Sequence, residues 1–167
     1  MAKTGRPAFR SQLDPNNPGP MDNAWCPIDE QSRLALPAVL TEGLTWTEGR
    51  TAECLLVLEP GGRVMLHEWT SRAEAIREKR KELIQAAEND AAAEQALATL
   101  EDRFRNATLH RRQLKLHRPV LGHLFGTSAA VGQGVLLVRF PEHLELWPPR
   151  YRDERLRNYA SQLADLS

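Results

Sequence analysis

Apolar positions in this chain form short runs, alternating or continuous, set between prolines and glycines and interrupted once by a long charged stretch. Ala24-Trp25-Cys26-Pro27-Ile28 has the aromatic and β-branched character of a short strand. Arg33-Leu34-Ala35-Leu36 alternates as a second one, stopped by Pro37, which also suits the first turn of a brief helix from Ala38 to Leu44. Cys54-Leu55-Leu56-Val57-Leu58 is continuously apolar and predicts a buried strand. Pro60-Gly61-Gly62 turns it, and Arg63-Val64-Met65-Leu66 returns as its hairpin partner.

Ser71-Arg72-Ala73-Glu74 predicts a capping box with Ser71 at the N-cap. The Ala-, Glu-, Lys- and Arg-rich residues that follow favour helix, with Ile76, Leu83, Ile84, Ala87, Leu97, Leu100 and Phe104 near one stripe. The polar patch Glu88-Asn89-Asp90 marks a break into two helices. After Asn106 the pattern restarts. Gln113-Leu114-Lys115-Leu116 alternates, and Pro119 precedes the apolar stretch from Val120 to Phe125. A small-residue loop runs from Gly126 to Gly134, and Val135-Leu136-Leu137-Val138-Arg139-Phe140 predicts another buried strand. His143-Leu144-Glu145-Leu146-Trp147 alternates back, and Pro148-Pro149 opens a final helix carrying Tyr151, Leu156, Tyr159 and Leu163.

The two halves therefore share one order of parts: alternating strand, small helix, loop, apolar strand, turn, return strand, charged helix. Leu55-Leu56-Val57-Leu58-Glu59-Pro60 stands opposite Leu136-Leu137-Val138-Arg139-Phe140-Pro141. Units that cannot each bury an apolar face pair to do so. The expectation is an α+β protein divided as 1–22, a disordered or loosely attached arm whose stretch from Asp14 to Pro20 cannot build a helix or central strand, then half-units at 23–106, with the helical arm, and 107–167.

Composition narrows the function classes. Lys+Arg and Asp+Glu both number 22 in 167 residues, so the chain is formally neutral. That disfavours a protein coating nucleic acid everywhere, but not a site-specific binder, which depends on where charge sits. No apolar run approaches the ~18 residues a membrane helix needs. The polar N-terminus does not read as a secretory signal, and two distant cysteines, Cys26 and Cys54, suit a reducing cytoplasm. The five histidines show no HExxH or compact ligand spacing, and Gly126 to Gly134 lacks both phosphate-loop patterns. No cofactor, metal or catalytic residue is expected. The four tryptophans suit packing anchors.

The stretch Asp29-Glu30-Gln31-Ser32-Arg33-Leu34-Ala35-Leu36-Pro37 has the form DxxxR, alternating strand, proline. The second half closes with Glu145-Leu146-Trp147-Pro148-Pro149-Arg150-Tyr151. On this ordered set, over roughly residues 24 to 165, the chain resembles the MraZ family of AbrB-like swapped-hairpin transcription factors. The resemblance implies two swapped-hairpin half-units forming a pseudo-twofold β-barrel, with a helical arm between them and a C-terminal helix. It implies self-association into a ring or other homo-oligomer, binding to double-stranded promoter DNA, nucleoid association, and repression of a division and cell-wall gene cluster. Carried over, Arg33 would read a base and Asp29 would orient it. Independently, an arginine fork matches guanine O6 and N7, and a nearby carboxylate pre-orders it. Gln31 and Ser32 lie in the same loop, within reach of a base edge or phosphate.

The chain departs from that family twice. Ser32 stands where the family carries Gly, and the second half, Leu109-His110-Arg111-Arg112-Gln113, lacks DxxxR. Yet from Arg103 to Arg118 there are six Lys or Arg and no carboxylate. Arg111, Arg112 and Lys115 are thus expected to supply a second, more electrostatic contact, while Arg103 and Arg105 suit a helix end instead. The competing class is a non-catalytic module on the same fold with weakened DNA binding: a protein-interaction module, which would show no salt-sensitive DNA binding, or an antitoxin-like one, which would co-purify with a small toxic protein.

Overall fold

The computed structural model describes residues 21–126 and 133–149. The arm expected over 1–22 lies outside these residues except for its last two, and so does the helix expected after Pro149. Eight strands are β1 (Asp22–Pro27), β2 (Arg33–Ala35), β3 (Thr51–Leu58), β4 (Val64–Glu68), β5 (Phe104–His110), β6 (Gln113–Lys115), β7 (Gly134–Arg139) and β8 (Leu144–Trp147). Among the described residues the helices are α1 (Ala38–Thr41), α2 (Ser71–Ala86), α3 (Ala91–Arg103) and α4 (Arg118–Phe125).

Every strand pairing is antiparallel, in the order β1-β7-β8-β4-β3-β5-β6-β2, and a bridge between Ile28 and Leu34 links the two ends. The protein is thus an α+β fold around a nearly closed barrel. Exchanging β1–β4 with β5–β8 leaves the circular strand order unchanged. The first strand of each half pairs with the third strand of the other, β1 with β7 and β5 with β3.

Alternation explains the core. Cys54, Leu56, Leu58, Val64, Leu66, Leu109, Leu114, Leu137, Leu144 and Leu146 point inward and are buried together. The continuous run in β3 arises because its outward residues are covered as well: Leu55 and Val57 pack against Ala73, Ile76, Trp69 and Phe104. A strand buried on both faces loses alternation. Arg139 is buried too, and its guanidinium donates to the backbone carbonyls of Leu40 (3.0 Å), Phe140 (2.6 Å) and Pro141 (3.3 Å), tying α1 to β7. The sequence pattern did not single it out.

Three local expectations are corrected. The helix expected from Ala38 to Leu44 ends at Thr41, because Gly43 turns at φ 85° and sends Leu44 into the core. The N-cap of α2 is Thr70, which accepts from the Ala73 amide, while Glu74 takes the Trp69 indole N–H at 2.8 Å instead of closing a capping box. Strand β5 falls where the sequence shows only the end of a helical stripe and a basic segment. Its inward residues, Ala107 and Leu109, are too few among polar neighbours to show alternation. The expected break between two helices is present, with Asp90 capping α3. Helices α2 and α3 fold back on each other, joined by Arg80 and Glu101 at 2.6 Å. No helix among the described residues is long and apolar enough to cross a membrane.

Candidate nucleic-acid interface

Strands β2 and β6 form a short two-stranded ribbon: Arg33 opposes Lys115, Leu34 opposes Leu114, and Ala35 opposes Gln113. Leu34 and Leu114 point inward and are fully buried, so period-2 alternation turns Arg33, Ala35, Gln113 and Lys115 outward, all exposed. Two further bonds frame the ribbon symmetrically. The Leu36 amide donates to the Arg112 carbonyl, and the Leu116 amide to the Ser32 carbonyl, each at 2.8 Å. The seven residues expected to contact DNA all lie on this ribbon or on the loops leading into it.

The loop before β2 is a three-residue hairpin turn. The Asp29 amide donates to the Arg33 carbonyl at 3.0 Å, and the Ser32 amide to the Asp29 carbonyl at 3.0 Å. Ser32 sits at φ 61°, the left-handed position that closes such loops and that glycine fills most easily. Asp29 organises the rest. Its Oδ1 accepts from the amides of Arg33 (2.8 Å) and Gln31 (2.9 Å), and its Oδ2 accepts from Arg33 Nε at 3.1 Å. The Arg33 amide first, then its guanidinium and the Gln31 amide, hold the Asp29 carboxyl below the usual carboxylate range. Gln31 Oε1 accepts from Arg33 Nη2 at 3.1 Å, and Lys115 Nζ donates to the Gln31 carbonyl.

The side of the Arg33 guanidinium carrying Nε is therefore filled from within the loop. Its outer end, where Nη1 and the second Nη2 hydrogen point, makes no bond among the described residues. The Arg33 side chain remains 46% exposed and that of Asp29 43%. Such an exposed ion pair adds little stability, on the order of 0–1 kcal/mol. Its consequence is orientation: the fork is held with one edge toward solvent.

The loop before β6 is built differently. His110 pairs directly with Gln113, leaving only Arg111 and Arg112 between them, at φ 52° and 63°. Positive φ at both central residues defines the tight turn that ordinarily takes Asn-Gly. This loop is one residue shorter than its counterpart, which is why DxxxR cannot be aligned there: His110 takes the place of Asp29 and Gln113 that of Arg33. The Arg111 amide donates to the Arg50 carbonyl at 2.9 Å, and Arg112 Nε is buried with no partner among the described residues. Arg50 is exposed beside this turn and was not foreseen, because its position depends on the β3–β5 pairing.

The basic segment divides in two. Arg105 Nε donates to the Glu101 carbonyl at 2.8 Å, and Arg103 pairs with Glu59 at 3.8 Å, so both serve the end of α3. Arg111, Arg112 and Lys115 belong to the ribbon. Elsewhere, burial pushes the Cys26 thiol up to about 11 and that of Cys54 to about 12, with Glu53 adding to the latter, so neither suits a nucleophile. No group of three or more His, Cys, Asp or Glu able to hold a metal occurs among the described residues.

No protein-family profile matches the chain, and no curated protein matches it significantly.

Proposed function

We propose that this protein is a sequence-specific, MraZ-like DNA-binding transcriptional regulator whose β2–β6 ribbon enters the major groove. The observation that carries this reading is the Arg33 guanidinium, held by Asp29 and Gln31 along one edge and open at its outer end. An arginine fork presented this way meets guanine O6 and N7 with two donors and loses little side-chain freedom on doing so. The ribbon has the right size. Two strands ~4.8 Å apart fit a groove about 12 Å wide. Ala35 between the polar outward residues leaves room for a thymine methyl.

The finer architecture follows from the same reading. The invariant strand order and the β1–β7 and β5–β3 exchange fit two swapped-hairpin halves about a pseudo-twofold axis through the β2–β6 and β4–β8 pairs. Ring assembly, nucleoid association and repression of a division and cell-wall gene cluster extend the resemblance to the MraZ family. A single ribbon offers few base contacts, so affinity would come from repeated engagement.

The test is selection of bound duplexes from a random-sequence pool, followed by titration of wild type and Arg33→Ala. Wild type should enrich a guanine-containing sequence. Arg33→Ala should lose about tenfold to a hundredfold in preference for that duplex over a scrambled one. Equal preference in the two proteins would remove Arg33 as the reader.

A further inference from the structure

Resting on that reading, we infer that one protomer recognises a DNA element without internal twofold symmetry: the Arg33 end of the ribbon reads a base, while the Arg111–Arg112 end holds phosphate and reads nothing. The frame itself is even-handed, since Leu36 to Arg112 and Leu116 to Ser32 are equivalent bonds of equal length, 2.8 Å. Matching loops on that frame would address two related half-elements within a few base pairs. The loops do not match.

At one end a carboxylate and an amide fix a guanidinium in place. At the other, His110 and Gln113 occupy the equivalent positions, and among the described residues no carboxylate pairs with Arg50, Arg111 or Arg112. Base reading needs a fixed fork, because base-edge acceptors have one geometry. Phosphate oxygens line the whole backbone and accept from a loosely held guanidinium, giving position without sequence information. The turn also carries its cations against local preference. A two-residue turn with positive φ at both positions favours Asn-Gly, yet two arginines hold it. Strained residues gather where a ligand uses them.

Arg111→Asn/Arg112→Gly tests this without endangering the fold, because it supplies the residues the turn prefers. Wild type, this double variant and Arg33→Ala are each taken through selection from random duplexes. Guanine-methylation interference then maps the selected duplex, and salt titrations follow on selected and scrambled duplexes. Interference should fall on one side of the protected span in wild type. The double variant should enrich the same sequence, bind selected and scrambled duplexes more weakly by the same factor, and show a log–log salt slope shallower by about 0.9 for each phosphate it no longer neutralises. Arg33→Ala should flatten the sequence preference and nearly keep the slope. Dyad-related guanines within the span of one ribbon, or an altered consensus in the double variant, would overturn the asymmetry while leaving DNA binding intact. If wild type binds every duplex equally, or none, the proposed function falls with it.

Discussion

Ser32 and Arg112 occupy the same left-handed backbone position in the two loops, at φ 61° and 63°, and neither is glycine. A side chain there costs about 1–2 kcal/mol. Glycine would recover that cost but would add about 0.4–1 kcal/mol of chain entropy to the unfolded state. Ser32→Gly should therefore stabilise the protein by up to about 1.5 kcal/mol, a rise of up to about 6 °C in Tm for a chain of this size. The Ser32 contact in the turn is made by its backbone, so the Asp29–Arg33 geometry should persist. Arg111→Asn/Arg112→Gly should raise Tm as well, while weakening DNA binding. Opposite signs for stability and affinity in one variant separate a strained ligand contact from a merely awkward turn. A lower Tm in either variant would show that the side chains, not the backbone, hold these loops.

Strand β6 is only three residues long, yet it carries the proposed interface because Leu114 anchors it against Leu34. Both are fully buried. Leu114→Ala should cost about 2–5 kcal/mol, as buried leucine truncations do, and urea unfolding would read that loss. Such elements were legible in the sequence where burial leaves a mark, as continuous apolar runs in β3 and β7 and as alternation in β2, β6 and β8, and where the polar patch Glu88-Asn89-Asp90 interrupts the helical stripe. Strand β5 was not, because it places just Ala107 and Leu109 in the core and follows a helix whose stripe runs into Phe104. Without β5 the place of Arg50 beside the second loop was not legible either, whereas the helix-end role of Arg103 and Arg105 was. In the fold, a helix end takes Arg103 and Arg105, and a hairpin presents Arg111 and Arg112. The Asp29–Arg33 pair was legible through the family resemblance that DxxxR, a strand and a proline carry together, since the four-residue spacing alone dictates no fold. The second loop lost its motif through a change in length, which spacing alone does not reveal.

Across the whole molecule, the β4–β8 pair closes the barrel on the side away from the ribbon, and ionisable groups gather on its outer face. His67 on β4 stacks on His143 at 4.7 Å, and His143 stacks on Phe140 at 4.7 Å. His143 Nε2 meets buried Glu145 at 3.1 Å, which also takes the Trp147 indole at 2.8 Å and faces Arg63 at 3.6 Å. Burial first, then repulsion from His143 and Arg72, draws the His67 imidazole down from its ordinary 6.5 to about 4, with Glu145 opposing. Burial acts to raise the Glu145 carboxyl, but the bonds from His143 and Trp147, helped by the charges of His143 and Arg63, outweigh it and leave Glu145 below its ordinary 4.5. Both groups act in the same direction. Between pH 6.5 and 4 the unfolded chain binds a proton at His67 that the folded chain refuses, so stability is fully present above 6.5 and declines as pH falls toward 4. Glu145 adds a loss at lower pH, as it is protonated through its depressed folded value. The urea midpoint should therefore drop steadily from pH 6.5 to 4, and His67→Gln should flatten that part of the profile while leaving the more acidic part in place. Identical profiles for His67→Gln and wild type would mean that the acid sensitivity of this seam comes from elsewhere in the barrel.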